Sequence, residues 1–480
     1  MKINPLIFRN YDIRGIVDSD LDDNKIEAIG KAYGTFLVRR KIHDIVVGRD
    51  CRLSGKAYQK AFVEGVLSTG INIIDLGEVM TQMVYWGQYY FQTNGGAMLT
   101  ASHNPWNYNG FKLGISFSLT TGPEEVQELK RLVELEKFYH CKKPGKLTKA
   151  DKSKFTEAYY CDVLKRVRIK KKFKVVFDPH NGTTAYFMPE IFKRIGCEVV
   201  SINTKVDGHF PSGTPDPTDA KLMNSVAKLV LKHKADIGLA YDGDGDRIGL
   251  VDEKGHVLWN DVAVAIFAKE ILERFPGSKI VYNTLCSQVV REVIKQNKGI
   301  PIMWLTGHAF IKAKISEEKA AFGGELSGHF FFADNAYGHD DGAYATLRIL
   351  EYLSDRNLTL SQVYESFPKY ISSPEIKIGC PDDKKKGVIK NLSVKFKKDF
   401  PQAQITDDSV IPGDDGVRAD FKDGMMIFRY SQNGPYITVK FEAKDEKTFE
   451  ERRTYVRKML KRYPAMTWED ELCVNLDFVS

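Results

Sequence analysis

The chain has 480 residues, 43% of them hydrophobic and 28% charged, with a formal net charge of +7. That describes a globular protein of three or four domains at roughly 100 to 200 residues each, and the modest positive charge points to no partner by itself. No apolar run approaches the roughly 18 residues needed to span a bilayer, and the charged residues Arg9, Asp12, Arg14 and Asp18 near the start argue against a secretory leader.

Along the chain one arrangement recurs: a β-branched strand, a polar loop, an amphipathic helix, a glycine and a second strand. The first copy runs from Ile45 to Asp50, through a helix at Lys56 to Ser68, to Ile71–Asp75. The second runs from Val175 to Pro179, through Phe187 to Ile195, to Glu198–Ser201. The third starts at Lys279–Asn283, continues through Ser287 to Gln296, and ends at Ile302–Leu305. Such units build parallel sheets with right-handed crossovers. After each copy one more strand delivers an unusual polar sequence: Gly96–Ala101 before Ser102, Asp236–Tyr241 before Asp242, and Ala320–Gly324 before Glu325. Ligands of open α/β sheets sit beyond the carboxyl ends of strands, where all three sequences fall. Beyond about Phe367 the pattern changes to a hairpin turning at Asp423–Gly424, an alternating strand from Tyr436 to Phe441, and a charged helix from Glu446 to Arg462.

The expected fold is therefore α/β, with three related mixed α/β domains of parallel-rich sheets and a smaller α+β C-terminal domain around a central cleft. The boundaries fall at 1–148, 149–253, 254–366 and 367–480. Seven cysteines, an odd number without a Cys-x-x-Cys pair, fit free thiols in a reducing cytoplasm. The basic runs Lys165 to Lys172 and Lys384 to Lys386 raise a nucleic-acid reading. The first lacks interleaved aromatics and reads as a solvated linker, so neither nucleic acid nor membrane is an expected partner.

The strongest local signal is Asp242-Gly-Asp-Gly-Asp-Arg247. Three carboxylates on alternate residues converge only around something positive, and their hard oxygens suit magnesium or calcium. Asp242, Asp244, Asp246 and Glu253 match positions 1, 3, 5 and 12 of an EF-hand, but Arg247 stands where the loop needs glycine and the flanks read as strands, so calcium is rejected.

Ser102, in Thr-Ala-Ser-His-Asn-Pro, is read against three alternatives. As a turn or capping serine it would be structural. As a hydrolase nucleophile it would need His103, but neighbours on an extended chain point to opposite sides, and no Gly-x-Ser-x-Gly elbow surrounds it. As a phosphate carrier it would supply three acceptor oxygens to a magnesium held by three aspartates, with His103, Asn104 and Lys112 donating to the transferring group. Gly324-Glu-Leu-Ser-Gly-His329 offers hydrogen bonds to hydroxyls and an imidazole that titrates near neutrality. Arg429-Tyr-Ser-Gln-Asn-Gly-Pro435 combines a guanidinium with a turn whose amides suit a phosphate.

These four loops, in this order, resemble the α-D-phosphohexomutase family, in particular its phosphomannomutase/phosphoglucomutase branch. Phe8 to Gly15, Trp304 to Lys312 and Tyr337 to Gly342 extend the likeness over essentially the whole chain. The resemblance implies an isomerase interconverting hexose 1- and 6-phosphates through phosphorylated Ser102 and a bound hexose 1,6-bisphosphate. Glucose 1,6-bisphosphate, or its mannose counterpart, would be the activator. It implies Ser102, Asp242, Asp244 and Asp246 as ligands of Mg2+, and Ser102, His103, Lys112, Arg247, His308 and His329 as catalytic groups. Tyr11, Arg14, Glu325, Ser327, Arg429, Ser431, Gln432 and Asn433 would bind a phosphosugar. Gln432-Asn433 stands where relatives commonly have Asn-Thr, Gly434 replaces a larger residue, and Leu285 and Leu305 replace basic ones. The same frame serves phosphoglucosamine mutases, which is the alternative; a metal-dependent serine phosphatase would use the same serine and aspartates.

Overall fold

A computed structural model of the chain describes residues 3–469 and 471–480. They group into two compact units. One comprises the chain up to Asp216 with Leu239–Ile248 and Asn335–Glu351, and the other comprises Pro217–Gly238, Gly249–Asp334 and Tyr352 onward. The architecture is that of four mixed α/β domains.

In the first unit a six-stranded sheet has the order Ile13–Ile16, Tyr108–Gly114, Gly95–Leu99, Asp44–Arg49, Asn72–Glu78, Leu147–Lys149. Asp44–Arg49 lies parallel to both Asn72–Glu78 and Gly95–Leu99, as the strand-helix-strand pattern predicts. Tyr108–Gly114 turns back antiparallel on Gly95–Leu99, with Lys112 opposite Met98. That reversal brings Lys112 back beside the loop that Gly95–Leu99 feeds. Helices Asp23–Arg39 and Gly55–Ser68 cover this sheet, and Asp22 caps the former by accepting from the Lys25 amide at 3.0 Å. Tyr33, Phe62 and Phe111 stack in the core between them. The second strand pair, Lys174–Asp178 and Glu198–Ser201, is parallel.

In the second unit the order Ile300–Trp304, Lys279–Asn283, Phe322–Gly324, Phe330–Phe332 makes a sheet whose first two pairings are parallel and whose last is antiparallel. The C-terminal sheet is antiparallel throughout, built from Ile371–Ser372, Ile376–Gly379, Gln404–Thr406, Gly416–Phe421, Gly424–Tyr430 and Tyr436–Ala443. Helices Asp382–Asp399 and Glu446–Arg462 pack on it. One detail differs from expectation. Phe421 pairs with Gly424, so the hairpin's two loop residues are Lys422 and Asp423, one position earlier than read. Gly424, with φ of 138°, serves as the first strand residue after the turn.

No helix of the described residues is long and apolar enough to cross a membrane. All seven cysteines are free.

Within the first unit, buried Asp341 accepts from the Tyr344 amide at 2.8 Å and from the Tyr159 hydroxyl at 3.3 Å. Burial pushes its carboxyl up to about 7 from the usual 3.8, with neighbouring Asp340 adding to the effect. Between those two values the unfolded chain releases a proton that the folded chain retains, so stability from this group is full below pH 4 and falls as pH rises toward 7. Asp341→Asn should therefore be more stable than the wild type at pH 8, by up to about 4 kcal/mol. Unfolding curves at pH 4, 6 and 8 should show that gap widening with pH.

Candidate active site

Ser102 lies just past the strand Gly95–Leu99, fully buried, with φ of 50°. Its amide donates to Thr100 Oγ1 at 2.8 Å, and Thr100 Oγ1 donates to Asp50 Oδ2 at 2.7 Å. The left-handed residue also corrects one expectation. The chain is not extended at Ser102, so the side chains of Ser102 and His103 do not diverge, and Oγ sits 3.2 Å from His103 Nδ1.

Two buried arginines hold this loop. Arg52 donates to the carbonyls of Ser102 (2.8 Å), Asn104 (2.7 Å), Pro105 (2.6 Å) and Tyr108 (3.0 Å), while its Nε reaches Asp50 at 3.2 Å. Arg14 donates to Asn104 Oδ1 at 2.7 Å and Ala101 O at 3.1 Å, and pairs with Asp12 at 2.9 Å. Arg14, a candidate substrate-binding residue, is thus placed against the serine loop. Tyr11 is buried nearby in sequence, its carbonyl accepting from Thr121 Oγ1 at 2.9 Å.

Asp242, Asp244 and Asp246 are all fully buried, with one carboxylate oxygen of each lying within 4.8 Å of the others. Ser102 Oγ donates to Asp242 Oδ2 at 2.8 Å, and Asp242 Oδ1 accepts the amides of Gly245 (3.0 Å) and Arg247 (3.2 Å). Arg247 Nε stands 3.7 Å from Asp242 Oδ2. Lys112 Nζ donates to Asp244 Oδ2 at 2.8 Å and to Asp246 Oδ2. A side chain at Gly243 would place its Cβ 2.7 Å from the Ser102 carbonyl, so the glycine is what lets the two loops touch.

Burial, followed by repulsion from Asp244 and Asp246, raises the Asp242 carboxyl well above its usual range. Burial works against ionisation of Asp244 too, but Lys112 and the Thr81 hydroxyl outweigh it and lower that carboxyl. Burial likewise disfavours the Lys112 ammonium, and Asp244 and Asp246 outweigh it in the opposite direction. Asp244 Oδ1 is buried and has no protein hydrogen-bond partner. Three acceptor-only groups short of positive charge, one with an orphaned oxygen, fit a hard divalent cation. The segments flanking the loop, Ile237–Tyr241 and Ile248–Asp252, are strands, and Glu253 is held by the Ser361 hydroxyl and by its amide at 3.2 Å, which agrees with rejecting the EF-hand.

The other two loops belong to the second unit. Glu325 Oε1 accepts the Gly307 amide at 2.7 Å, its own amide donates to the His329 carbonyl at 3.0 Å, and the Leu326 amide donates to Asn283 Oδ1 at 3.2 Å. His308 opens the helix His308–Glu318, with its ring 5.8 Å from that of His329. Ser327 is half-buried and Leu285 fully buried. In the C-terminal loop Arg429 forms a two-pronged pair with Asp415, donating from Nε at 2.8 Å, and Gln432 Nε2 donates to the same carboxylate at 2.7 Å. Ser431 Oγ accepts the amides of Asn433 (3.1 Å) and Gly434 (3.2 Å). Gln432 thus ends on Asp415.

Sequence reading missed Arg52, Asp50 and Thr81, and also Lys385, whose Nζ donates to the carbonyls of Ser431 (2.7 Å) and Gly434 (2.9 Å). Asp50 and Arg52 follow directly on Asp44–Arg49, a parallel strand of the sheet that carries the serine loop, and that position is the signal that could have found them. Lys385 sat in what read as a basic run, and is in fact buried.

Three descriptions of phosphoglucomutase/phosphomannomutase, alpha/beta/alpha domains I, II and III, match residues 5–140, 154–255 and 259–370 in turn. The chain belongs to the phosphoglucomutase/phosphomannomutase family. It is 35% identical over 455 residues to phosphomannomutase/phosphoglucomutase of Pseudomonas aeruginosa, covering 95% of each chain. It is 34% identical to phosphoglucomutase of Neisseria gonorrhoeae over 96% of this chain and 98% of the relative. Among solved structures, a phosphoglucomutase/phosphomannomutase family protein from Burkholderia thailandensis matches with a TM-score of 0.85 and 30% identity, covering 96% of this chain and 98% of that one. The family is magnesium-dependent.

The Arg52 network yields a prediction. Arg52→Met leaves Asp50 as an unpaired buried charge and orphans several carbonyls, which should cost about 3–5 kcal/mol. Arg52→Lys keeps the charge but has three donors on one nitrogen in place of a planar fork, so it should fall between wild type and Met. Melting temperatures of the three proteins should rank in that order.

Proposed function

We propose that the chain interconverts hexose 1-phosphates and hexose 6-phosphates by carrying a phosphoryl group on Ser102. The observation that carries this reading is the 2.8 Å hydrogen bond between Ser102 Oγ and Asp242 in a buried three-carboxylate loop. Phosphorylated Ser102 transfers its phosphoryl group to the free hydroxyl of a hexose monophosphate. The P–Oγ bond breaks, a bond to the sugar oxygen forms, and the hydroxyl proton leaves to a base. The resulting 1,6-bisphosphate then returns its other phosphoryl group to Ser102.

Ser102, Asp242, Asp244 and Asp246 would hold Mg2+, which when bound would supply positive charge to the transferring phosphoryl group. His103 and Arg247 add donors, and Lys112 balances the charge of Asp244 and Asp246. Glu325 and Ser327 hold sugar hydroxyls, while Arg429, Ser431, Gln432 and Asn433 take the phosphate that is not reacting. Proton transfer falls to His308, His329 or Lys112. Tyr11 and Arg14 line the cleft on the substrate's side, Arg14 also holding Asn104 and the Ala101 carbonyl. We assign one loop to each of the domains 1–148, 149–253, 254–366 and 367–480, glucose or mannose 1,6-bisphosphate as activator, and, from the seven free thiols, a cytoplasmic setting.

Initial rates on mannose, glucose and glucosamine 1-phosphates, with catalytic glucose 1,6-bisphosphate and Mg2+, should show turnover of the first two. Turnover of the third alone would assign a phosphoglucosamine mutase, and net phosphate release a phosphatase. Ser102→Ala should lose roughly a thousandfold or more in kcat, and chelation should abolish turnover. Label from the bisphosphate should be found on Ser102; an active preparation in which it is never found there refutes the reading.

A further inference from the structure

The helix Thr81–Phe91 begins against the metal loop of the same unit. Thr81 Oγ1 donates to Asp244 Oδ2 at 2.6 Å, and the Thr81 amide donates to the Asp244 carbonyl at 3.0 Å. The next residue continues the contact, with Gln82 Nε2 donating to the Gly245 carbonyl at 3.0 Å. Thr81, Gln82 and Asp244 are all at 0% exposure. One residue therefore grips both the backbone and the side chain of Asp244, and its hydroxyl and the Lys112 ammonium meet on the same oxygen, Oδ2. The other oxygen, Oδ1, is buried without a protein partner.

We propose that Thr81 is a positioning residue for the divalent cation, fixing the Asp244 carboxylate through Oδ2 so that Oδ1 is kept for the ion. This rests on the three aspartates holding Mg2+, as proposed above. A carboxylate with one anchored oxygen has lost the rotation about its Cβ–Cγ bond that would otherwise be lost on binding, so the hydroxyl lowers the ordering cost of coordination. Lys112 cannot be assigned the same way, because its charge also opposes that of a cation. Thr81 is neutral, and its contribution is geometric.

The test is calorimetric titration of Mg2+ into chelator-treated, dialysed protein, supported by electron paramagnetic resonance of bound Mn2+. The proteins are wild type, Thr81→Val, Thr81→Ala, Thr81→Ser and Asp244→Asn, with melting temperatures at saturating Mg2+ showing which are folded. Thr81→Val, which removes the hydroxyl and keeps the shape, should weaken Mg2+ binding about 10- to 100-fold. Thr81→Ala should do the same should Val fail to fold, and Thr81→Ser should restore near wild-type affinity. In turnover, Val should raise the Mg2+ concentration needed for half-maximal rate far more than it lowers kcat at saturating Mg2+. Wild-type Mg2+ affinity in folded Val and Ala variants, with Asp244→Asn weakened, would overturn the role of Thr81 and leave the metal site standing. A wild type that binds no divalent cation, or an Asp244→Asn protein that binds as well as wild type, would overturn both.

Discussion

Three carboxylates packed together out of water are the constraint around which the first unit is organised. Asp242, Asp244 and Asp246 have no exposed surface, and the cost of ionising all three at once grows steeply as they leave solvent. Within the protein that cost is met unevenly. Asp244 is compensated by Lys112 and Thr81, Asp246 takes part of Lys112, and Asp242 takes two backbone amides and the Ser102 hydroxyl. The serine is thus one of the donors the loop recruits, and its left-handed backbone and close approach to Gly243 accompany that hydrogen bond.

A second buried acid a few ångströms along the chain of hydrogen bonds shows what a closed arrangement looks like. Asp50 faces Arg52, Thr100 and a backbone amide, and Arg52 spends its donors on Asp50 and four carbonyls. Charges balance and acceptors are met, which is how a structural buried pair persists. At the Asp242 loop the balance is incomplete and Asp244 Oδ1 has no partner. The contrast is between a buried acid whose charge and acceptors are met within the protein and a loop left short of donors. In the second unit, Asp415 and Arg429 again form a closed pair, joined by Gln432, so the loop's shape is set by its own side chains.

What was legible in the sequence follows from which signals are local. Strands such as Lys279–Asn283 and the helix Glu446–Arg462 announce themselves by period and composition, and the Asp242 loop by a charge pattern that makes no sense without a cation. The ordered loops identified the family. Arg52 was legible only in part: its place after a parallel strand puts it at the ligand end of the sheet, but nothing local tells that its guanidinium folds over a loop fifty residues away. Lys385 was hidden for the opposite reason, a buried side chain within a run of three lysines that is otherwise ordinary surface. The His103 geometry was misread because a positive φ at a serine is a tertiary outcome that periodicity cannot foresee.

Burial also bears on why such a site would move a phosphoryl group between hydroxyls in preference to giving it to water. With Ser102 and all three aspartates at 0% exposure, each donor around the serine acts in a low-dielectric setting where its interaction is strong and already oriented. Arg14 and Arg52 strengthen that setting by engaging the loop carbonyls, whose negative ends would otherwise lie unpaired beside Ser102. A phosphoryl donor held this deep would be attacked by a hydroxyl that is bound and aligned far more readily than by one that must diffuse in, and the effective concentration gained by alignment reaches about 10⁵ M or more in well-ordered systems. Exclusion of water and the fixed placement of Ser102 are therefore one property, set by the same buried arginines and the same three acids.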